Sequence, residues 1–284
     1  MIFTHEFSQV ANFIDCYLCR CSGEVEIAMP VYDSIASVYD NINSEIDYSA
    51  WADFIEKCFN KYLREKPELV LDLACGTGSM TFALASRGYD MIGADMSEDM
   101  LTEAMDKAYD RGIEGILFLK QDMRCFELYG TVGAIVCCLD SVNYLTEDGD
   151  LEKCFKCAHN YLDPDGLFIF DVNTPYKFEN VYGSNHYIFE DKNSFGENAY
   201  CGWQNEYDRE SKLCNFYLSV FTEEEDGRFS RADEVQTERC YSEEELIESL
   251  EKSGFEVLGF FGDFAFSKPE SNCERWYIAA RAKK

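Results

Sequence analysis

Apolar and polar positions follow two different patterns along the chain. Between residues 68 and 171, short runs that are almost wholly apolar alternate with segments whose apolar residues recur every three or four positions. The first pattern is typical of strands buried on both faces, and the second is typical of amphipathic helices. The chain is therefore predicted to alternate helices, at 79–87, after the N-cap Ser97 and at 151–162, with strands at 69–75, 90–95, 115–121, 132–139 and 166–171.

The pattern changes between about residues 176 and 241. Short runs of alternating polar and apolar residues, such as 215–222, are separated there by polar turn clusters, which indicates antiparallel hairpins. Beyond them, Ser242 and Glu245 have the spacing of a capping box and predict a last helix. Two final strands are predicted at 256–261 and 275–282.

Strands that alternate with helices form parallel sheets covered on both faces. The sequence therefore predicts an α/β fold, with a doubly wound, mostly parallel seven-stranded sheet and an antiparallel β insertion after the fifth strand. Residues 1–28 share no pattern with the rest, so Met29 is a candidate for the natural start. The expected parts are an N-terminal extension at 1–28, a helical lid at 29–66, a ligand-binding core at 67–175 and 241–284, and an insertion over the substrate site at 176–240.

The composition is globular and strongly acidic. Apolar residues make up 46% of the chain and aromatic residues 15%, while 25 Lys and Arg face 54 Asp and Glu, for a net charge of −29. Such a surface repels phosphate backbones, so nucleic acid is not expected as a partner. The longest apolar runs are far below the roughly 20 residues that cross a membrane. Because residues 1–15 also lack the features of a secretory signal, we expect a cytoplasmic protein without a membrane partner.

The 14 cysteines admit two interpretations. Many lie in apolar strand-like segments, where a free thiol acts as a small buried apolar side chain. A structural zinc site needs four ligands in paired spacing. Neither the group Cys16, Cys19 and Cys21 nor the pair Cys154 and Cys157 has a matching second half, so free thiols and no metal are expected.

Candidate chemistry begins at the end of the first predicted strand. The run from Asp72 to Gly78 follows that strand and opens a helix, and its glycines let the backbone approach a ligand closely. A helix N-terminus favours polar or anionic atoms, so a nucleotide-like ligand is expected. A dinucleotide fingerprint requires a third glycine where Thr81 stands, which argues against a nicotinamide cofactor.

Two further strand ends carry acids. Asp95 ends the second strand 19 residues after Gly76, close to the spacing at which an acid meets ribose hydroxyls. Ser97 is expected to cap the next helix and to leave Asp95 free. Asp122 and Met123 follow the third strand, where an acid can accept from an adenine amine and an apolar side chain can contact the ring. The three strand ends together predict one continuous binding site.

This ordered set resembles the class I S-adenosylmethionine-dependent methyltransferases, from about residue 32 to the C-terminus. The resemblance implies a Rossmann-like fold and S-adenosyl-L-methionine as the cofactor, although Ala74 stands where the family usually has glycine. Residues 121–124 and 140–145 and the late insertion resemble small-molecule enzymes such as the aminosugar N,N-dimethyltransferases, and residues 32–48 resemble their lid. The implied cofactor site consists of Tyr32, Tyr39, Asp72, Ala74, Cys75, Gly76, Thr77, Gly78, Asp95, Met96, Asp122, Met123 and Leu139.

The implied reaction moves a methyl group to N or O of a small molecule by in-line displacement, for which the enzyme supplies alignment and excludes water. Tyr39 can cover the sulfonium by a cation–π contact, and Asp140 or Asp171 can remove a proton from the acceptor. The residues expected to act on the reacting groups are Tyr39, Asp140, Asn143, Tyr144 and Trp203.

Other interpretations remain open at this point. Asp72 can serve the loop alone, Asn143 can cap a helix, and Tyr39 and Trp203 can be core aromatics. A cofactor-binding sensor or regulatory subunit without turnover is the alternative function, a nicotinamide dehydrogenase is a third, and an acidic surface also suits a basic protein substrate. Monomer and homodimer are equally compatible with the sequence.

Overall fold

The computed structural model describes residues 36–193 and 196–284, so Tyr32, the predicted extension and the cysteines at 16, 19 and 21 lie outside the described part. The helices are α1 (Ala36–Ile42), α2 (Tyr48–Tyr62), α3 (Ser79–Ala85), α4 (Glu98–Asp110), α5 (Asp150–Tyr161), α6 (Pro175–Lys177) and α7 (Glu243–Lys252). A 3₁₀ turn, Ser141–Tyr144, and a π-helical turn, Phe178–Tyr182, accompany them. The strands are β1 (Leu69–Leu73), β2 (Asp90–Asp95), β3 (Leu117–Lys120), β4 (Val132–Cys137), β5 (Leu162–Asn173), β6 (His186–Lys192), β7 (Asn198–Asp208), β8 (Leu213–Glu223), β9 (Phe229–Arg239), β10 (Phe255–Phe261) and β11 (Arg275–Ala282).

Within the described ranges, seven strands form the core sheet in the order β10-β11-β5-β4-β1-β2-β3. β1 to β5 pair in parallel, and β11 runs antiparallel between β5 and β10. The strand order reverses at β1, which has β2 on one side and β4 on the other. Loops that leave neighbouring strands in opposite directions open a crevice at this point, where ligands of such sheets bind. The predicted α/β fold class is confirmed.

Side chains of the core sheet alternate between two helical layers. In β5, Phe168 and Phe170 pack on the layer formed by α5 and α7, while Leu167 and Ile169 pack on the layer that contains α2 and α3. Burial on both faces explains why these strands read as continuous apolar runs. α2, which was expected within the lid, lies with its apolar face, Trp51 included, against the core sheet.

Several element boundaries differ by a few residues from their sequence-based expectation, and two of these differences have local backbone reasons. β1 ends at Leu73 because Ala74 turns into the left-handed region, with φ of 57°. β5 extends back to Leu162 because the chain bulges against β4 between Val132 and Ala134. Gly166 makes this close approach possible, since a Cβ there would lie 2.9 Å from the Asp163 carbonyl oxygen.

The segment between β5 and α7 forms the second sheet, hereafter the insertion sheet, with the order β6-β7-β8-β9 among the described strands. Its neighbouring strands are antiparallel. One face is buried, and Phe216 and Leu218 of β8 pack there with Phe178 and with Val38 of α1. Among the residues that the structure describes, no helix combines the length and the apolar character needed to cross a membrane.

Candidate active site

In the loop after β1, every second residue from 74 to 78 has a positive φ angle. Ala74, Gly76 and Gly78 all have positive φ, at 57°, 52° and 80°. The Gly78 N–H donates to the Cys75 carbonyl at 2.9 Å, and Gly78 then begins α3. A Cβ at Gly78 would lie 3.2 Å from the Cβ of Ala104 in α4, so glycine is needed both for the backbone conformation and for the packing.

Asp95 links this loop to the end of β2. Its Oδ2 accepts from the Gly76 N–H at 2.8 Å, and its Oδ1 accepts from the Ser97 N–H at 2.9 Å. The expectation that Asp95 is free was therefore wrong, although Ser97 does cap α4 by accepting from the Met100 N–H. Burial raises the pKa of Asp95, and the backbone hydrogen bonds partly offset this rise. The carboxylate accepts backbone hydrogen bonds from Ser97, Gly76 and Met96 and keeps further acceptor capacity for a ribose hydroxyl.

Asp72 lies beneath the loop and contacts α3. Its Oδ2 accepts from the Thr81 hydroxyl at 2.5 Å, and only 1% of the residue is exposed. Burial raises the pKa of Asp72 to about 7. Thr81 stands at the third glycine position of the dinucleotide fingerprint. Its hydroxyl group joins α3 to β1 through this hydrogen bond.

Asp122 lies one strand farther along the same edge. The Gln121 N–H donates to the Asp95 carbonyl at 2.8 Å, which keeps the ends of β2 and β3 together. Both Asp122 oxygens accept from the Arg124 guanidinium, with contacts of 3.0 and 2.6 Å to Oδ2. Asp122 is therefore paired with a cation next to the position where an adenine amine was expected. Met123 packs partly against the core, while Met96 is 44% exposed.

The end of β4 is strained. Leu139 and Asp140 both adopt the left-handed conformation, with φ of 60° and 56°. Such a conformation costs of order 1 kcal/mol or more for each non-glycine residue and persists where surrounding contacts enforce it. Here the Asp140 N–H donates to Asp171 Oδ2 at 3.0 Å, which holds the turn against β5.

A buried polar network extends from Asp140 across the site. Arg275 lies between Asp140, at 3.0 Å, and Asp171, with which it also forms an ion pair. The side-chain amide of Asn173 donates to Asp140 at 2.6 Å and to Glu238 of β9 at 2.9 Å, and its Oδ1 accepts from Lys177 at 3.0 Å. The network therefore connects the core sheet with the insertion sheet.

The pKa values in this network shift in opposite directions. Burial alone raises the pKa of Asp140, but Arg275 and Lys177 more than compensate, so its pKa falls below the usual value. Burial dominates at Asp171 and Glu238, whose pKa values are raised even though Arg275 opposes the rise at both. The site therefore combines an ionised carboxylate with carboxyls that hold a proton more readily.

Tyr39 and Asp40 of α1 cover the loop after β1. A Cβ placed on Gly76 would lie 4.0 Å from the Tyr39 ring, so the ring stands beside the bare glycine backbone. Burial raises the pKa of Tyr39 well above its usual value, which keeps the phenol neutral. Asp40 accepts from the Thr77 hydroxyl at 2.6 Å and pairs with Lys107 of α4 at 2.5 Å.

The remaining predicted residues lie around the network or beside it. Asn143 is fully buried, donates to the Arg239 carbonyl at 2.8 Å and accepts from the Asn173 N–H at 2.9 Å. The Tyr144 hydroxyl donates to Gln236 of β9 at 2.9 Å. Trp203 packs among the aromatic rings of the insertion sheet, and its buried Nε1 has no hydrogen-bond partner. Asn143 and Tyr144 therefore both connect the end of β4 to β9.

Sequence reasoning did not single out five residues of this arrangement: Asp40, Asn173, Lys177, Glu238 and Arg275. Asp40 stands in the tyrosine-rich segment that was examined, so its adjacency to Tyr39 was the one available signal. The other four act through contacts between distant parts of the chain and carry no local motif.

The cysteines that the structure describes are free thiols. Cys154 is fully buried in α5, and the Cys157 thiol contacts the Phe126 carbonyl at 3.1 Å. Across residues 36–193 and 196–284, no group of three or more His, Cys, Asp or Glu side chains has the arrangement of a metal site.

Comparison with known proteins identifies the family. A family model described as "Methyltransferase domain" matches residues 70–166. The "Putative methyltransferase YqeM" of Bacillus subtilis (strain 168) is 34% identical over 258 residues, which cover 89% of this chain and 98% of that protein. This chain belongs to the methyltransferases. An S-adenosylmethionine-dependent methyltransferase from Clostridium acetobutylicum ATCC 824 has a similar structure, with a TM-score of 0.76, 32% identity, and coverage of 89% of this chain and 99% of that one.

Fold similarity extends further than sequence similarity. DesVI of Streptomyces venezuelae matches this methyltransferase with a TM-score of 0.70 at 20% identity, covering 88% of this chain and 98% of that one. The fold and the family establish a class I methyltransferase that uses S-adenosylmethionine. The residues present fit that cofactor, since a bare glycine backbone, a carboxylate with spare lone pairs and a neutral aromatic ring meet at Gly76, Asp95 and Tyr39.

Proposed function

We propose that this methyltransferase methylates a nitrogen or oxygen atom of a small molecule held between α1, the ends of β4 and β5, and the insertion sheet. The single observation that carries this proposal is the Asp140–Asn173–Glu238 chain of hydrogen bonds, which joins buried polar groups at the ends of β4 and β5 to β9. Buried polar groups are costly to maintain unless they are satisfied or used. A small acceptor suits this enclosed position better than a nucleic acid, which the chain's net charge of −29 repels.

When bound, S-adenosylmethionine supplies a sulfonium methyl group, whose carbon–sulfur bond breaks as the bond to the acceptor forms. The protein aligns the acceptor and excludes water. In the proposed arrangement Tyr39 covers the sulfonium with a neutral ring, and ionised Asp140 orients a donor group of the acceptor. The proton that the acceptor releases passes to a carboxylate of the network. Asp171 suits this role because its raised pKa favours the protonated form.

The proposal is tested by incubating the full-length protein with S-adenosylmethionine carrying a deuterated methyl group and a metabolite extract of low molecular mass. We expect S-adenosylhomocysteine to form and one small metabolite to gain the labelled methyl group. Asp140→Asn is expected to reduce the rate by about 10- to 100-fold, whereas Asp165→Asn, at an exposed position of the bulge on the opposite edge of the sheet, leaves it unchanged.

Cofactor binding without any S-adenosylhomocysteine in the presence of extract contradicts methyl transfer to a small molecule. That result favours the alternative of a sensor or regulatory subunit. Label that enters only protein or nucleic acid from a whole-cell lysate also contradicts the proposal, since it assigns the acceptor to a macromolecule.

A further inference from the structure

The buried face of the insertion sheet changes character from strand to strand. On β8, the inward residues Phe216 and Leu218 are apolar and nearly fully buried. Their cross-strand partners on β9 are Gln236 and Glu234, which therefore share the same face. Glu234, Gln236 and Glu238, hereafter the β9 row, are 8%, 5% and 3% exposed. A one-sided antiparallel sheet normally buries apolar residues at such positions, so the β9 row is a departure that stability alone does not explain.

The β9 row is joined to the proposed methyl-transfer site. Gln236 donates to Glu234 at 2.8 Å and accepts from the Tyr144 hydroxyl at 2.9 Å. Glu238 accepts from Asn173, which also donates to Asp140. The β9 row and the end of β4 thus belong to one connected group of buried polar side chains, hereafter the chamber.

Carboxyl groups outnumber cations in this chamber. The connected groups include four carboxyls, Asp140, Asp171, Glu234 and Glu238, but two cations, Lys177 and Arg275, among the described residues. Both cations already have partners. Arg275 forms ion pairs with two carboxylates, and Lys177 donates to the side-chain Oδ1 of Asn173. Burial raises the pKa of Asp171 and Glu238, so these two carboxyls tend to hold a proton when no further cation is near. A bound cation favours their ionised form, whereas a phosphate group opposes it.

Three side chains also have buried polar atoms without a partner. Oδ1 of Asp171, both amide atoms of Asn205 and Nε1 of Trp203 make no hydrogen bond, and Asp171 and Asn205 are 0% and 1% exposed. Asn205 and Trp203 occupy inward positions of β7, in register with Phe216 and Leu218 and hence on the face of the β9 row. Buried polar atoms of this kind are rare without a functional reason. They offer an acceptor one carboxylate oxygen, one amide and one indole N–H.

We infer that the methyl acceptor is a small amine of net positive charge that carries no phosphate, and that its ammonium group binds against the β9 row. This inference rests on the proposed function and names the substrate class of that same chamber. The bound ammonium gives up one proton to a carboxylate. The nitrogen lone pair then bonds to the methyl carbon as the carbon–sulfur bond breaks, and S-adenosylhomocysteine leaves as the neutral thioether. The Trp203 ring supplies an additional surface for a cation.

The inference is tested with the full-length protein and deuterated-methyl S-adenosylmethionine. A metabolite extract is divided at pH 7 into a pool retained by a cation exchanger, a pool retained by an anion exchanger and an unretained pool. We expect labelled product in the cation-exchanger pool alone. Label confined to the unretained or anionic pool overturns the inference and leaves the proposed function standing, whereas no label in any pool overturns both.

Variants of the β9 row provide a second readout. Glu234→Gln and Glu238→Gln preserve size and each is expected to raise the apparent KM for the cationic pool about tenfold, with the KM for S-adenosylmethionine within about twofold of wild type. Asp233→Asn, on the same strand but exposed, is the matched control. If both row variants are folded, as judged by thermal unfolding, and match Asp233→Asn, the inference is overturned. A KM increase for S-adenosylmethionine alone has the same consequence.

Discussion

In the cofactor half of the site, Asp95 is held by backbone N–H groups 19 and 2 residues away, and Asp72 is held by Thr81, 9 residues away. In the acceptor half, Arg275 reaches Asp140 across 135 positions of the chain, and Asn173 reaches Glu238 across 65. The first half forms from one loop and its neighbouring strands, while the second requires the core sheet and the insertion sheet to be assembled. Changes in the cofactor half should therefore reduce ligand affinity, and changes in the acceptor half should reduce the stability of the whole chain.

The largest effect is expected from Arg275→Ala. Removal of this cation leaves two buried carboxyls facing each other, and the loss of one partner of a buried ion pair costs about 3–5 kcal/mol. The free energy of unfolding, measured by urea denaturation without ligand, should fall by about that amount. Arg228→Ala removes an ion pair whose side chains are largely exposed and should change it little. Equal effects of the two variants contradict the contrast between the halves.

The second largest effect is expected from Asp95→Ala, and it should concern affinity. Loss of a buried acceptor for ribose hydroxyls weakens cofactor binding by about 1–3 kcal/mol. Isothermal titration calorimetry with S-adenosylmethionine measures this directly. Asp90→Ala, at the exposed opposite end of β2, is the matched control and should bind as wild type. Unchanged affinity in the Asp95 variant removes this residue from the cofactor site.

The buried carboxyl of Asp72 should make the free energy of unfolding depend on pH. The pKa of its carboxyl is about 7 in the folded chain and about 3.9 in an unfolded one. Between about pH 4 and 7 the folded state binds a proton that the unfolded state lacks, so the contribution of this carboxyl to stability falls as pH rises. Asp72→Asn has no carboxyl that titrates. Its free energy of unfolding should therefore exceed that of wild type by about 1–3 kcal/mol at pH 8, but not at pH 4. An equal difference at both pH values contradicts this account.

The smallest effect is expected at the contact of α1 with the loop. Asp40→Asn removes the ion pair with Lys107, which is partly exposed, and should raise the KM for S-adenosylmethionine about two- to fivefold. Asp106→Asn removes the same charge from the exposed neighbour of Lys107 and should have no such effect. If both variants change KM alike, general charge rather than the contact is responsible.

The same contrast explains how much the sequence predicted. The elements of the cofactor half follow from local patterns, since β2 has the predicted bounds and Ser97 caps α4. Outside this half, Ser242 and Glu245 form the predicted capping box of α7 for the same local reason. What local patterns did not reveal is that Asp95 binds Gly76, because this contact depends on the register between β1 and β2. The contacts of S-adenosylmethionine with individual residues stay predictions.

Local sequence patterns did not predict most contacts of the acceptor half, and the reason is physical. Glu238 sits in an alternating strand, where an acid is normally solvated, and Arg275 stands at a strand start, where a cation is normally exposed. Glu238 is buried where the insertion sheet meets Asn173 of the core sheet, and Arg275 is partly buried between Asp140 and Asp171. No window of local sequence records either approach. The inward direction of the β9 row follows from its pairing with β8, which is also a long-range property.

One consequence follows from the way α1 is attached. Val38 is packed into the apolar cluster of the insertion sheet, and Asn41 donates to the Lys192 carbonyl of β6, whereas Asp40 reaches the loop of Thr77 through polar contacts. The helix and the insertion sheet therefore form one packed unit, which contacts the loop of Thr77 through polar groups that include the Asp40–Lys107 ion pair. High salt screens this partly exposed ion pair, so we expect it to speed the release of S-adenosylhomocysteine, as stopped-flow measurements can check.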